Sequence, residues 1–422
     1  MKFPFKKIEA PICIALVIAL GFGGFMGVKN MCIKQRSVDV AQSIETVNDE
    51  ISQSGIADTK SGPKVKAKAA VLIDSATGKV IYALNADKEL PPASVTKVMT
   101  MLLAMEAVDS GKITLDDEVT ISDNAASMGG SQMYMEPGET HTVAQLLEGV
   151  AMVSANDGCV ALAEYIAGST DIFVEKMNKK AQELGMKNTN FVNTNGLPVK
   201  EHYTSAYDIA LMSKELIKHK EIRKWCTKWQ DTIKVGLPGK ETEFGLTNTN
   251  KMIKTYNGAN GIKTGFTQEA GYCLSASATR GNTTLIAVVL GAKTSKERNA
   301  QVAKLLDYGF SAYETAQIFP KGEAVKKVSV DRGEPEQLKA VTGDAAAAFI
   351  KKGDKEKVTH KIVIDKDISL PLKKGDAVGR VDIYYDGQKT GSVSLVSDRD
   401  VDKAGFITYY LRSIRSLFGE KK

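Results

Sequence analysis

Cysteine is scarce in this chain. The 422 residues hold five, an odd number, and Cys13, Cys32, Cys159, Cys226 and Cys273 are scattered with no Cys-x-x-Cys spacing. Neither a disulfide framework nor a zinc site is indicated, and buried thiols are expected. Histidine is scarcer still: His141, His202, His219 and His360 share no metal-ligand spacing. No zinc-peptidase motif occurs, so no metal and no cofactor is expected. Blocks of one charge sign are also missing. The formal charge is +6, but the basic residues lie in mixed-sign runs rather than arms. Nucleic acid is therefore not an expected partner, while an anionic surface is. What the chain has is 43% hydrophobic and 25% charged residues, enough to bury a large core in about two or three folded units.

An uncharged apolar stretch runs from Ala10 to Val28, with Lys2, Lys6 and Lys7 before it and Lys29, Lys34 and Arg36 after it. That is the pattern of an export segment. At about 1.5 Å rise per residue it is long enough to span a bilayer, and no small-x-small cleavage site follows closely. Residues 1–28 fit either a cleaved signal or a retained membrane anchor, with a buried core helix as the remaining reading. Residues 29–64 are polar and aperiodic and read as a linker.

Beyond it, Ala69 to Asp74 and Lys79 to Leu84 are apolar runs around Ser75-Ala76-Thr77-Gly78, which predicts a hairpin. Helical patterns dominate from Val95 to Leu216. Strands are expected around Gly261–Thr264, Tyr272–Ala278 and Thr284–Leu290, then a helix over Gln301–Ala312 with Val302, Leu305, Leu306 and Phe310 on one face. Strands at both ends of a helical middle predict an α/β body, residues 65–313, whose antiparallel sheet is assembled from remote parts of the chain. Short strand-like runs at Ala324–Val330, Lys357–Ile364 and Val378–Tyr385 then predict a small all-β domain, residues 314–401. Residues 402–422 turn helical, with Phe406, Ile407, Tyr410, Leu411, Ile414, Leu417 and Phe418 on one face. Basic residues lie elsewhere on that helix, as suits a membrane interface; packing on the β-domain is the alternative.

Three short motifs carry chemistry, each weak alone. Ser94-Val95-Thr96-Lys97 opens an apolar helical run, and residues three apart share a helix face, so the lysine can reach the serine hydroxyl. An ordinary lysine, with a pKa of about 10.4, is protonated at neutral pH. Lys97 must therefore be detuned by burial and a neighbouring cation to act as a base. Taken alone, the motif equally fits a capping serine with a solvated lysine. Ser154-Ala155-Asn156 lies between two helical patterns. A hydroxyl there can relay a proton, and an amide can both donate and accept, although simple capping would use the same residues. Lys263-Thr264-Gly265, followed by Phe266, lies on an expected strand: a cation and a hydroxyl for a carboxylate, with a glycine that keeps the strand face clear for an added, extended substrate.

The trio is the pattern of penicillin-binding proteins and class A β-lactamases. Pro91–Thr100, Gly129–Glu139, Ser154–Glu164, Gly185–Asp208 and Gly261–Thr267 closely resemble the low-molecular-weight D-alanyl-D-alanine carboxypeptidases. The resemblance spans roughly residues 65 to 400 and is strongest in Phe191-Val192-Asn193-Thr194-Asn195-Gly196-Leu197-Pro198. It implies a β-lactamase/transpeptidase-like catalytic domain, an antiparallel sheet with a helical subdomain, followed by the small all-β domain. It implies Ser94 as nucleophile, Lys97 as its base, and Ser154 and Asn156 as relay and orienting pair. Lys263 and Thr264 would recognise a carboxylate, and the backbone N–H groups of Ser94 and Phe266 would form an oxyanion hole beside Gly265. Arg298 resembles a family arginine near the carboxylate subsite, and some relatives carry histidine at the Phe266 position. The implied substrate is the peptidoglycan stem ending in D-Ala-D-Ala, with β-lactams as inhibitors, on the outer face of the membrane. A β-lactamase would need a deacylating glutamate between the second and third motifs, and no counterpart is found. A non-catalytic wall-binding protein and an endopeptidase of the same acyl chemistry stay open.

Overall fold

A strand covered on both faces needs apolar residues at every position rather than at alternate ones. Ala69–Asp74, buried throughout, is such a strand (β1) and turns back into β2, Val80–Leu84. In this computed structural model, which describes Thr59, residues 62–405 and Thr408, several helices follow, the longer ones being α1 (Lys97–Asp109), α2 (Val143–Met152), α3 (Asn156–Ala167), α4 (Thr170–Glu183) and α5 (Ala206–Leu216). Strands β3 (Ala259–Thr267), β4 (Gly271–Arg280) and β5 (Thr283–Ala292) then complete an antiparallel sheet of order β2-β1-β5-β4-β3. The first strand thus sits beside the last, Ala70 opposite Val289. β3 is left at the edge.

Helix α6 (Ser295–Ala312) packs Val302, Leu305, Leu306 and Phe310 into one core with Leu72, Leu274 and Leu285 of the sheet. It begins at Ser295, ahead of the expected Gln301. Its first turn is polar and shows no apolar period, and the signal there is the cap, where Thr294 accepts from the Glu297 N–H. α5 lies against the sheet, joined to β4 by the Ser213–Ser275 hydroxyl pair at 2.7 Å. Two further features went unforeseen. A hairpin of Gln230–Val235 and Thr242–Thr247 buries too few side chains for a readable alternation. Thr59, inside the expected linker, bonds to Ala83 of β2 through backbone and hydroxyl.

The all-β domain starts at once after α6 with β6 (Tyr313–Phe319). A second five-stranded sheet and two short ribbons surround Val328, Leu338, Ala340, Val378, Val381, Ile383 and Leu395. Asp402–Lys403, expected to open a helix, instead pair with Gly333–Glu334 as a strand. Most of the rest of the expected interfacial helix, the Ala10–Val28 stretch, most of the 29–64 linker, Cys13 and Cys32 lie outside the described residues. Cys159, Cys226 and Cys273 are buried free thiols. Among the described residues no helix is long and apolar enough to cross a membrane, and no group of metal-ligating side chains occurs.

Candidate active site

Ser94 stands in a 3₁₀ turn, Ala93–Thr96, that runs straight into α1. The turn is entered through Ala93 in the left-handed region, φ 50°. The Asn193–Gly196 loop backs the turn, and His202 clamps it. His202 Nδ1 accepts from the Val192 N–H at 3.0 Å, which leaves Nε2–H to donate to Thr96 Oγ1 at 2.8 Å, and that hydroxyl donates to Ala93 O at 2.9 Å. Burial pushes this imidazole down to about 4, so it remains neutral and structural.

Lys97 is wholly buried one turn below Ser94. Its Nζ lies 2.9 Å from Ser94 Oγ, 2.6 Å from Asn156 Oδ1 and 2.7 Å from Asn195 O. Two of these partners can only accept, because the Asn156 amide is oriented by its own Nδ2 donating to Gly129 O at 2.6 Å. A neutral amine spends its two N–H groups on those oxygens and keeps its lone pair for the Ser94 hydroxyl. Burial lowers the Lys97 ammonium to about 8, against the opposing pull of Cys159 and Asp157.

Ser154 precedes α3 in a left-handed conformation, φ 67°, and its buried Oγ has no hydrogen-bond partner. A buried hydroxyl without a partner costs free energy and tends to persist where function uses it.

Edge strand β3 runs past the start of α1. Lys263 is buried with Nζ donating to Thr264 O at 3.0 Å. Burial first, and then repulsion from Lys97, lower it to about 7. That repulsion is mutual, so beside burial it disfavours carrying a charge on both lysines at once. Gly265 has a reason the strand pattern did not reveal. A Cβ there would meet Pro92 O at 3.0 Å and the Ser94 nitrogen at 3.1 Å, so the glycine clears the Ser94 N–H. Phe266 is 52% exposed, its ring 4.3 Å from Tyr272. Arg298, in the first turn of α6, is buried against Cys273 O at 3.4 Å, and Cys273 pairs with Gly265. Burial lowers this guanidinium to about 10, and no ion pair to it occurs among the described residues. A buried cation without a counter-ion is suited to an anionic ligand.

Ser94, Lys97, Asn156 and Gly265 are thus brought together directly, Ser154 lies two residues before Asn156, Lys263, Thr264 and Phe266 share edge strand β3 with Gly265, and Arg298 stands against Cys273 on the neighbouring strand. Three contributors were missed. Asn195 acts through its carbonyl, which has no sequence signature beyond the Asn-Gly turn. Thr249 Oγ1 bonds Thr264 Oγ1 at 2.7 Å, from a loop with no motif. Asp157 binds backbone N–H groups of the 129–135 loop.

Residues 56–294 match the family model described as D-alanyl-D-alanine carboxypeptidase, and residues 313–403 the one described as penicillin-binding protein 5, C-terminal domain. The chain is 48% identical over 350 residues to the D-alanyl-D-alanine carboxypeptidase DacF of Bacillus subtilis, covering 83% of this chain and 89% of that one. It is 36% identical over 361 residues to the D-alanyl-D-alanine carboxypeptidase DacC of Escherichia coli, covering 82% and 87%. The solved penicillin binding protein 5 of Haemophilus influenzae is similar at a TM-score of 0.64 and 36% identity, covering 81% of this chain and 99% of that one. Penicillin binding protein 6B of Escherichia coli is similar at 0.62 and 30% identity, covering 80% and 97%.

Proposed function

The chain belongs to the D-alanyl-D-alanine carboxypeptidase family of serine peptidases, and on that premise we propose that Ser94, Lys97, Ser154 and Asn156 carry its chemistry. Lys263, Thr264, Gly265, Phe266 and Arg298 hold the substrate. The enzyme removes the terminal D-alanine from peptidoglycan stems through a serine acyl-enzyme and binds penicillin. The observation that carries the residue assignment is the Lys97 amine, detuned by burial, held between two fixed acceptors and 2.9 Å from Ser94 Oγ.

Neutral Lys97 takes the Ser94 proton as Oγ bonds to the penultimate D-alanine carbonyl carbon. The oxyanion accepts from the N–H groups of Ser94 and Phe266, over the space Gly265 leaves clear. The tetrahedral species collapses by breaking the peptide C–N bond, and the departing amine gains a proton passed from Lys97 through the Ser154 hydroxyl. Water then attacks the ester, giving its proton to Lys97, and Ser94 is regenerated. The substrate carboxylate is matched by Lys263, the Thr264 hydroxyl and the unpaired Arg298. A β-lactam, whose ring amide resembles the D-Ala-D-Ala end, acylates Ser94 by the same first step.

The enzyme works outside the cytoplasm, and residues 404–422 attach it to the outer face of the membrane, with residues 1–28 serving either as a cleaved export signal or as a second anchor. Removal of residues 1–28 together with residues 404–422 is expected to abolish cosedimentation with anionic vesicles; retained binding would refute the attachment. The catalytic assignment is tested by intact-protein mass spectrometry after benzylpenicillin, alongside D-alanine release from a pentapeptide ending in D-Ala-D-Ala. An adduct and release confined to Ser94 protein are expected, and undiminished turnover by Ser94→Ala would refute the assignment.

A further inference from the structure

The loop between Gly129 and Glu139 forms no strand or helix, except that it leads toward the short strand at Thr140. Its backbone is instead held by the first turn of α3. Asn156 N–H donates to Ser131 O at 2.7 Å and Asn156 Nδ2 to Gly129 O at 2.6 Å. The next residue holds the loop by the opposite polarity. The Asp157 carboxylate accepts from the Met133 N–H at 2.9 Å and the Met135 N–H at 3.5 Å, and from its neighbour Gly158 at 2.9 Å. Two adjacent side chains thus clamp one loop, one through its carbonyls and the other through its amides.

The clamp bears on catalysis because Gly129 O decides which way the Asn156 amide faces. With Nδ2 on that carbonyl, Oδ1 must point at Lys97, where it sits 2.6 Å from Nζ. A shift of the loop would free the amide to turn. Asp157 is also almost wholly buried: burial raises its carboxyl above the usual carboxylate range, while the N–H groups of Gly158, Met135, Met133 and Tyr134 oppose that rise and favour the anion. A first-turn acid is favoured by any helix N-terminus, but here the carboxylate also acts across the site on Lys97.

We propose that Asp157 is a positioning residue of this reaction: it fixes the 129–135 loop so that Asn156 presents its oxygen to Lys97, and it sets a buried negative charge behind that pair. The inference rests on Lys97 being the base. The titratable and charged groups around this corner are Lys97 from α1, Cys159 from α3 and Lys263 from β3, with Cys226 and Arg298 beyond Lys263. Burial pushes the Cys159 thiol up to about 11, so it is neutral through the working range. Asp157 is then the anion that favours protonated Lys97, and its removal eases deprotonation.

The test is the second-order acylation constant for benzylpenicillin between about pH 6 and about pH 9, per chain able to label at saturation. Asp157→Asn is expected to move the acid limb to lower pH by about 0.5 unit or more and to lower the plateau at least about tenfold through loss of Asn156 orientation. Asp157→Glu keeps the charge but misplaces the carboxylate, so the limb stays and the plateau falls. An Asn variant whose limb does not move overturns the proposal, because a residue that merely holds the loop would leave the Lys97 titration where it was. Should Asp157→Asn not fold, an unchanged plateau in Asp157→Glu overturns it equally. Failure of the underlying assignment looks different: the unsubstituted protein itself would not acylate.

Discussion

Gly196 lies directly against Ala93, so close that a Cβ at 196 would stand 1.9 Å from the Ala93 carbonyl oxygen. Gly196 has φ +86°, and Ala93 itself is left-handed. The signature loop and the turn that carries Ser94 are therefore fitted backbone to backbone, with Thr96 bonding the same carbonyl. Gly196→Ala must shift one of them. A destabilisation on the order of 2 kcal/mol or more is expected, with slower β-lactam labelling, read from the thermal midpoint and the adduct rate; an unchanged midpoint would contradict the fit.

Gly265→Ala tests a different clearance. No positive φ is involved, and the added methyl would meet Pro92 O and the Ser94 nitrogen at 3.0 and 3.1 Å. The fold should tolerate a few tenths of an ångström of adjustment, whereas an oxyanion donor should not. Acylation is expected to fall about a hundredfold with little change in thermal midpoint. Normal acylation would show that the Ser94 N–H is not the donor.

Thr249→Val removes the hydroxyl paired with Thr264 while keeping its shape. Thr264 is then free to rotate away from the substrate carboxylate. Loss of one such orienting bond corresponds to about 1 kcal/mol. The KM for the pentapeptide is expected to rise by about fivefold with kcat nearly constant, and steady-state D-alanine release decides it.

Both buried lysines titrate far below the ordinary 10.5, Lys97 at about 8 and Lys263 at about 7, burial being the chief cause in each. Since the base must be neutral, acylation is expected to climb with pH through the neutral range and level off above about 8. Stability follows the same groups. Between the folded values and 10.5 the unfolded chain binds more protons than the folded one, so stability rises with pH, from about pH 7 toward about pH 9. Above that range Cys159, Cys226 and Cys273, raised to about 11, about 12 and about 11 from 9.0, oppose the trend, because thiols held protonated in the fold lose that advantage as pH rises. A thermal midpoint that falls between about pH 7 and about pH 8.5 would contradict burial of the two amines.

Much of this enzyme is readable along the chain. The Ser94–Lys97 contact follows from three-residue spacing on one helical turn, and the β1–β2 hairpin and the β4–β5 hairpin follow from apolar runs around turn residues. The half-exposed Gln230–Thr247 hairpin escaped because too little of it is buried to impose alternation. The polar start of α6 escaped because a cap, rather than periodicity, defines it.

Sequence by itself determined which groups could react: a serine three residues from a lysine, a hydroxyl and an amide in one turn, a cation and a hydroxyl on one strand. Only the tertiary structure decided what state they are in. The Lys97 amine is detuned because the helices and β3 exclude water from it, and its lone pair is aimed at Ser94 because Asn156 and the Asn195 carbonyl, remote in the chain, occupy its other two directions. Local spacing fixes a contact when both residues share one helical turn, but desolvation and backbone acceptors come from segments that meet only on packing. The residue types written in the chain carry no record of either.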